Sequence, residues 1–254
     1  MLRPYRLQFQ AFKSILDKAP DSKIAQEQGI PKWLAFSGGL PTQSFDWEKK
    51  IVELRIGSAD SPTPDLRVLS DDLIELRFLQ SLVLHGHNID NDDMEIVKNL
   101  ESLNAIYLLD TRVDDQGLRL LSELKLTQLS LGSEITDEGV RYACERWPEL
   151  LSFGLHSSKV SDSSITSIVT LEHLQYLNLN DTLISIASLE SLEKLTSLNH
   201  LRLDNTSLTD ESVPYLSKLT GLRTLSVEES RITEKGLQEL RSHLPNCRVI
   251  GPMQ

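Results

Sequence analysis

The 254 residues are 39% apolar and 25% charged, a composition that supports a buried core and excludes a disordered chain. The formal charge of −11 is unevenly placed: residues 1–50 carry 8 Lys/Arg against 5 Asp/Glu, and the remainder 18 against 32. An acidic body excludes nonspecific DNA or RNA binding, which depends on neutralising phosphates with cations.

In residues 1–50, Tyr5, Phe9, Phe12 and Leu16 follow helical spacing up to Pro20, predicting a first helix. Asp21–Gln28, closed by Gly29, predicts a second, and Pro31 opens a third through Trp33 and Phe36 to Gly38-Gly39. Residues 1–50 are therefore expected to be a helical N-terminal cap, with Trp33 and Phe36 packed against the chain beyond residue 50. A competing reading makes residues 2–18 a basic amphipathic helix (Arg3, Arg6, Lys13, Lys18) lying on a membrane or a partner. No apolar stretch approaches the ~20 residues of a membrane-spanning helix, and Met1–Arg6 lacks the pattern of a signal peptide. Cys144 and Cys247 are too few for a disulfide framework and are expected to be reduced thiols, which suits a cytoplasmic protein.

Leucine dominates the rest: 41 of the chain's 46 leucines follow residue 50. Aligned on Leu79, Leu103, Leu126, Leu150, Leu174, Leu198 and Leu222, the chain repeats every 24 residues, with one step of 23. Each copy opens L-x-x-L-x-L, as in Leu198-Asn-His-Leu201-Arg-Leu203. All 21 anchor positions are apolar, including Ile106, Phe153 and Val227; at 39% apolar content, chance gives this on the order of once in 10⁸ or 10⁹ trials. A divergent eighth copy begins at Ile51, Leu54 and Ile56, followed by an insertion with Pro62 and Pro64.

The x-L-x-L alternation predicts a short strand with its leucines on one face. Ile135-Thr136-Asp137-Glu138, Leu208-Thr209-Asp210-Glu211 and Val160-Ser161-Asp162 predict capped helix starts, with Asp114, Asp137, Asp162 and Asp210 assigned to capping rather than to calcium. Apolar spacing then turns helical, as in Val213, Leu216, Leu219 and Leu189, Leu192, Leu195. Strands stack about 5 Å apart and helices about 10 Å, so the stack is expected to curve with its helices outside. Leu244–Ile250 predicts one last short strand, whose edge is blunted by Arg248 and Gly251-Pro252.

On these residues the chain resembles the leucine-rich repeat family over roughly residues 51–250, making 51–254 a single repeat domain. The resemblance implies an α/β solenoid, a right-handed horseshoe arc with a parallel sheet on its concave face and short helices on its convex face. It also implies that the small residue three positions past the last anchor (Thr111, Ser158, Thr182, Thr206, Ser230) bonds the backbone of the neighbouring turn. Most copies are similar to bacterial repeats with a T-D-x-x-L signature. The third, with Cys144, resembles the cysteine-containing repeats of eukaryotic F-box proteins.

Nucleotide-binding, hydrolase and metalloprotease motifs are absent, no cofactor is implied, and His85-Gly-His87 reads as solvated histidines rather than a metal site. Enzymatic function is not expected. The solvent-facing sheet positions, expected to carry no structural duty, supply the candidate partner-binding residues Tyr107, His156, Tyr176, Asn178, Asn180, His200, Arg202, Asp204 and Glu228. The expected function is a protein–protein interaction module using its concave face. The alternatives are a substrate receptor of a ubiquitin ligase, weakened by the lack of an F-box in residues 1–50, and a peripheral membrane protein anchored by residues 2–18.

Overall fold

The computed structural model describes residues 53–57, 65–156 and 159–252, the backbone of 34–37, and residues 10, 11 and 14. It divides into two compact units, residues 1–126 and 127–254.

In the first unit, β1 (Leu34–Ser37) pairs antiparallel with β2 (Glu53–Ile56), and β2, β3 (Ser81–His85) and β4 (Ala105–Leu109) are parallel. Helices α1 (Leu66–Ile74) and α2 (Asn91–Val97) connect those strands, and α3 (Asp115–Leu120) follows β4. Residues 34–37 are thus a strand, not the end of the helix expected after Pro31. A two-turn helix has little intrinsic stability, whereas a strand here satisfies the backbone edge that β2 would otherwise expose. The other two expected helices, the packing of Trp33 and Phe36, the insertion at Pro62 and Pro64, and the hydroxyl of Ser158 lie outside the described residues.

In the second unit, β5 (Gln128–Leu131), β6 (Ser152–Leu155), β7 (Tyr176–Asn178), β8 (His200–Arg202), β9 (Thr224–Ser226) and β10 (Arg248–Ile250) form a parallel run in sequence order. Between them lie α4 (Asp137–Arg146), α5 (Asp162–Ile168), α6 (Ile186–Leu189), α7 (Val213–Leu216) and α8 (Glu234–His243). Two connections are partly 3₁₀: Glu190–Lys194 continues α6, and Asp210–Ser212 precedes α7. Pro214, in the first turn of α7, needs no N–H there.

Every one of the 21 anchor side chains is buried, none more than 4% exposed. Leu54 and Ile56 of the divergent copy are fully buried as well. The strands pair anchor against anchor, Leu129–Phe153, Phe153–Leu177, Leu177–Leu201 and Leu201–Leu225. A one-residue slip would turn every leucine to solvent, so the leucine pattern itself holds the register.

After the strand the backbone turns through the left-handed region at equivalent positions of five copies: Gly86 (φ 133°), Asp110 (52°), Asp181 (61°), Asn205 (52°) and Glu229 (55°). In the three copies that turn at Asp181, Asn205 and Glu229, the hydroxyl residue next in the chain closes its own turn, whereas the buried Thr111 hydroxyl after Asp110 has no hydrogen-bond partner among the described residues. Thr182 Oγ1, Thr206 Oγ1 and Ser230 Oγ donate to the carbonyls of Leu179, Leu203 and Val227, each at 2.6 Å. The expected bond to the neighbouring turn is not what these hydroxyls make, because the left-handed residue brings the hydroxyl back over the carbonyl three residues before it.

At the helix starts, Thr136, Ser161, Ser185, Thr209 and Thr233 are the N-caps. Asp114 is itself a cap, accepting from the backbone of Gln116 and Gly117. Asp137, Asp162 and Asp210 are not caps of their own helices. Each stands one residue later and accepts from the cap of the next repeat. Asp137 takes the N–H of Ser161 (2.8 Å) and the hydroxyls of Ser161, Ser163 and Ser164. Asp162 takes the N–H of Ser185 (2.7 Å) and the hydroxyls of Ser185 and Ser188. Asp210 takes the N–H and hydroxyl of Thr233 at 2.8 and 2.7 Å. In the first unit Asn91 does the same for Asp114, exchanging two bonds at 2.8 and 3.0 Å.

The third helical residue completes this seam. Where it is serine, as at Ser164 and Ser188, its hydroxyl joins the preceding acid. Where it is glycine, the acid fills the space of the missing side chain: a Cβ on Gly236 would lie 2.3 Å from Asp210 Oδ1, and one on Gly117 2.2 Å from Asn91 Oδ1. Before Ser212 the preceding copy offers Ile186 instead of an acid, and Ser212 Oγ donates to its own cap carbonyl, Thr209 O, at 2.6 Å.

Candidate functional site

The solvent face of the second unit is ordered in lanes by the parallel register. Ser152, Tyr176, His200 and Thr224 are neighbours across β6–β9, as are Gly154, Asn178, Arg202 and Ser226. Tyr176 and His200 stand side by side, half-buried, with ring centroids 6.3 Å apart and planes inclined at 42°.

Beyond the aromatic pair lies a hydrogen-bonded ladder. Asn178 Nδ2 bonds His156 Nε2 at 3.0 Å, which puts the proton of the neutral imidazole on Nδ1. Asn178 Oδ1 accepts from the backbone of Asn180 at 3.0 Å. Asn180 grips Asp204 from both sides: its Nδ2 donates to Asp204 Oδ2 (3.0 Å), and its Oδ1 accepts from Asp204 N (2.9 Å). The Asp204 carboxylate also accepts from Arg202 Nε and Nη2 (3.1 and 2.7 Å), Ser226 Oγ and the backbone N–H of Glu228 (2.8 Å). Burial pushes the Asp204 carboxyl up, but the bonds from Ser226, Arg202 and Glu228 outweigh it and hold the group below the usual carboxylate range.

Of the nine candidate residues, the fold joins His156, Asn178, Asn180, Arg202 and Asp204 in this ladder and sets Tyr176 and His200 beside it. Tyr107 belongs to the first unit, half-buried on β4 opposite Val83. Three candidates lack the freedom expected of them. Asn178, Asn180 and Asp204 are 4%, 7% and 7% exposed, and their polar groups are used in tying strand to strand. Short polar side chains on adjacent strands reach each other before they reach a partner, which is why solvent-facing positions here do carry a structural duty. His85 departs from expectation in the same way: its Nε2 lies 3.1 Å from Asp110 Oδ2, and its side chain is only 15% exposed.

Past the ladder is a shallow depression of about 440 Å³ lined by Asn180, Asp181, Arg202, Asp204, Asn205, Glu228, Glu229 and Pro252. Asp181 and Glu229, both exposed, are left-handed turn residues that lie beyond the lanes of the strands. Their signal in the sequence is a polar residue recurring seven positions after the anchor: Asp110, Asp181, Asn205, Glu229. Among the described residues, no group of three or more His, Cys, Asp or Glu is arranged to hold a metal ion. Nor, among them, is any helix long and apolar enough to cross a membrane.

No family model and no curated protein matches the sequence. Solved structures do match. Internalin C2 of Listeria monocytogenes is 22% identical with a TM-score of 0.50, over 73% of this chain and 76% of that one. An internalin (inlF) of the same organism is 23% identical with a TM-score of 0.51, over 78% of this chain and 60% of that one. The chain has the leucine-rich repeat fold. At these identities the likeness is one of architecture: a leucine-rich repeat sheet of parallel strands with helices between them.

Proposed function

We propose that this leucine-rich repeat protein is a non-enzymatic interaction module that binds a protein partner through the solvent face of its sheet, the face expected to be concave in such a solenoid. The observation that carries the reading is the Tyr176–His200 pair. Two half-exposed aromatic rings stand in register on adjacent strands, beside a ladder that fixes those strands. Aromatic groups with little conformational freedom to lose are the usual anchors of protein interfaces.

The test is affinity capture from source-cell lysate with the full chain and a Tyr176→Ala, His200→Ala variant shown to be folded by circular dichroism. The reading expects a partner retained by the wild type and lost by the variant. A partner held equally by both puts binding elsewhere on the molecule and overturns the face assignment.

We propose a reducing compartment, the cytoplasm, a reading with which the unpaired Cys144 and Cys247 are compatible. Burial pushes the Cys144 thiol up to about 12, so it is inert at neutral pH. Alkylation in denaturant and mass spectrometry of protein isolated without reductant should find both cysteines alkylated; a disulfide at Cys247 contradicts this placement.

A further inference from the structure

The ladder separates the carboxylates of the sheet face into two kinds. Asp204 is saturated by donors, and its charge is met by Arg202. Glu228 and Glu229 have no side-chain hydrogen bond or ion pair among the described residues, and Asp181 receives only the amide of Asn205, at 2.7 Å. Arg202, the one cation lining the depression, is thus already engaged, while three carboxylates around it remain uncompensated. The opposite end of the same face is neutral and aromatic, with Tyr176 and His200 flanked by Ser152 and Thr224.

Resting on the interaction-module reading, we propose that this face docks an extended partner segment that places lysine or arginine side chains among Asp181, Glu228 and Glu229 and a neighbouring part of its chain on the Tyr176–His200 pair. The two ends of the face lie about four residues apart along the strands, or roughly 13 Å, within the span of one short extended segment. Asp181 and Glu229 are two strands apart, about 10 Å, which suits cations two or three residues apart on that segment. The uncompensated charge selects a basic segment over an acidic one and speeds its approach.

The probe is a fluorescein-labelled ten-residue peptide alternating serine and lysine, with a serine–glutamate counterpart, titrated with the full chain by fluorescence anisotropy. Two variants remove the same amount of charge: Asp181→Asn, Glu228→Gln, Glu229→Gln on the face, and Glu138→Gln, Glu145→Gln, Glu149→Gln on and just after α4. The first set is conservative, because asparagine tolerates the left-handed backbone at 181 and keeps an acceptor for Asn205. Matching urea midpoints establish that both variants are folded. The proposal expects the lysine peptide to bind, the face variant to weaken it at least tenfold, and the α4 variant to change it less than twofold. Equal losses in both variants reduce the effect to net charge and overturn it, as does a lysine peptide that binds no better than the glutamate one. If a lysate partner is lost with Tyr176→Ala, His200→Ala but kept by the face variant, the module reading stands and the basic-segment proposal fails.

Discussion

At the helix starts, Asp137, Asp162 and Asp210 reach from one repeat to the cap of the next, and the same seam recurs with Asn91 in the first unit. On the sheet face of the second unit, His156, Asn178, Asn180 and Asp204 form a ladder that spans four consecutive copies and ends at Ser226 and Glu228. Both seams join repeats that have few contacts beyond their neighbours. They differ in burial and in what surrounds them. The helix seam leaves nothing over, since each acid there meets its hydroxyls and N–H groups. The ladder takes up Asp204 but leaves the Glu228 and Glu229 carboxylates without a side-chain bond among the described residues, so the same face combines a strap with an uncompensated rim.

Breaking the ladder should have the largest effect. Asp204→Ala leaves Asn180, Ser226 Oγ and Glu228 N–H without their acceptor in a buried setting and unpairs the half-exposed Arg202, and should cost about 3 kcal/mol in urea unfolding. A loss under about 1 kcal/mol would mean that water replaces the carboxylate readily and the ladder is not a strap. The helix seam should be weaker link by link. Asp162→Ala removes three bonds to Ser185 and Ser188 and should cost about 2 kcal/mol, near the upper end for a helix cap. Gly236→Ala tests the same seam sterically: the new Cβ meets Asp210 Oδ1, so the variant should lose about 1 kcal/mol even though alanine favours a helix. In an Asp210→Ala background that penalty should vanish, and a penalty that persists would assign it to Ile232 instead.

Acid should loosen both seams together. Burial acts to raise Asp137, Asp162 and Asp204, but their hydrogen bonds outweigh it; at Asp210 the bonds from Thr233 dominate. All four are thereby held below their ordinary value of 3.8. The stability they contribute is therefore fully present above that value and is lost as the pH falls through their lower folded values. Asp93 in the first unit behaves oppositely: burial raises its carboxyl despite the bond from the Asp90 N–H. Its ionisation opposes folding as the pH rises through that range, so Asp93→Asn should leave stability at pH 7 unchanged or slightly higher. This is the smallest effect of the set, and a clear loss would show that the capping box needs the charge.

The repeats are legible in the sequence because each leucine anchor is a local pattern repeated at a fixed interval, and buried positions tolerate only apolar residues. The helix starts are legible as Ser/Thr-Asp pairs, but not the direction in which the aspartate points, since Asp162 serves Ser185, 23 residues away. The ladder is hidden for the same reason. Asn180, Asp204 and Glu228 read as three solvent positions in one lane, and only strand pairing brings the first two within 3.0 Å. Asp181 and Glu229 escape a period-two count because it stops at Asn180 and Glu228, one residue before each left-handed position. The strand at residues 34–37 carries a helical signal because Pro31 is a good helix opener, while its pairing partner β2 lies some twenty residues further on.

Hydrogen–deuterium exchange of the full chain with and without the captured partner tests the central claim most directly. Binding through the sheet face predicts protection on the strand-and-turn segments 176–181, 200–205 and 224–229, with α4, α5 and α8 unchanged. Protection confined to the helices, with those three segments exchanging as in the free protein, would contradict it.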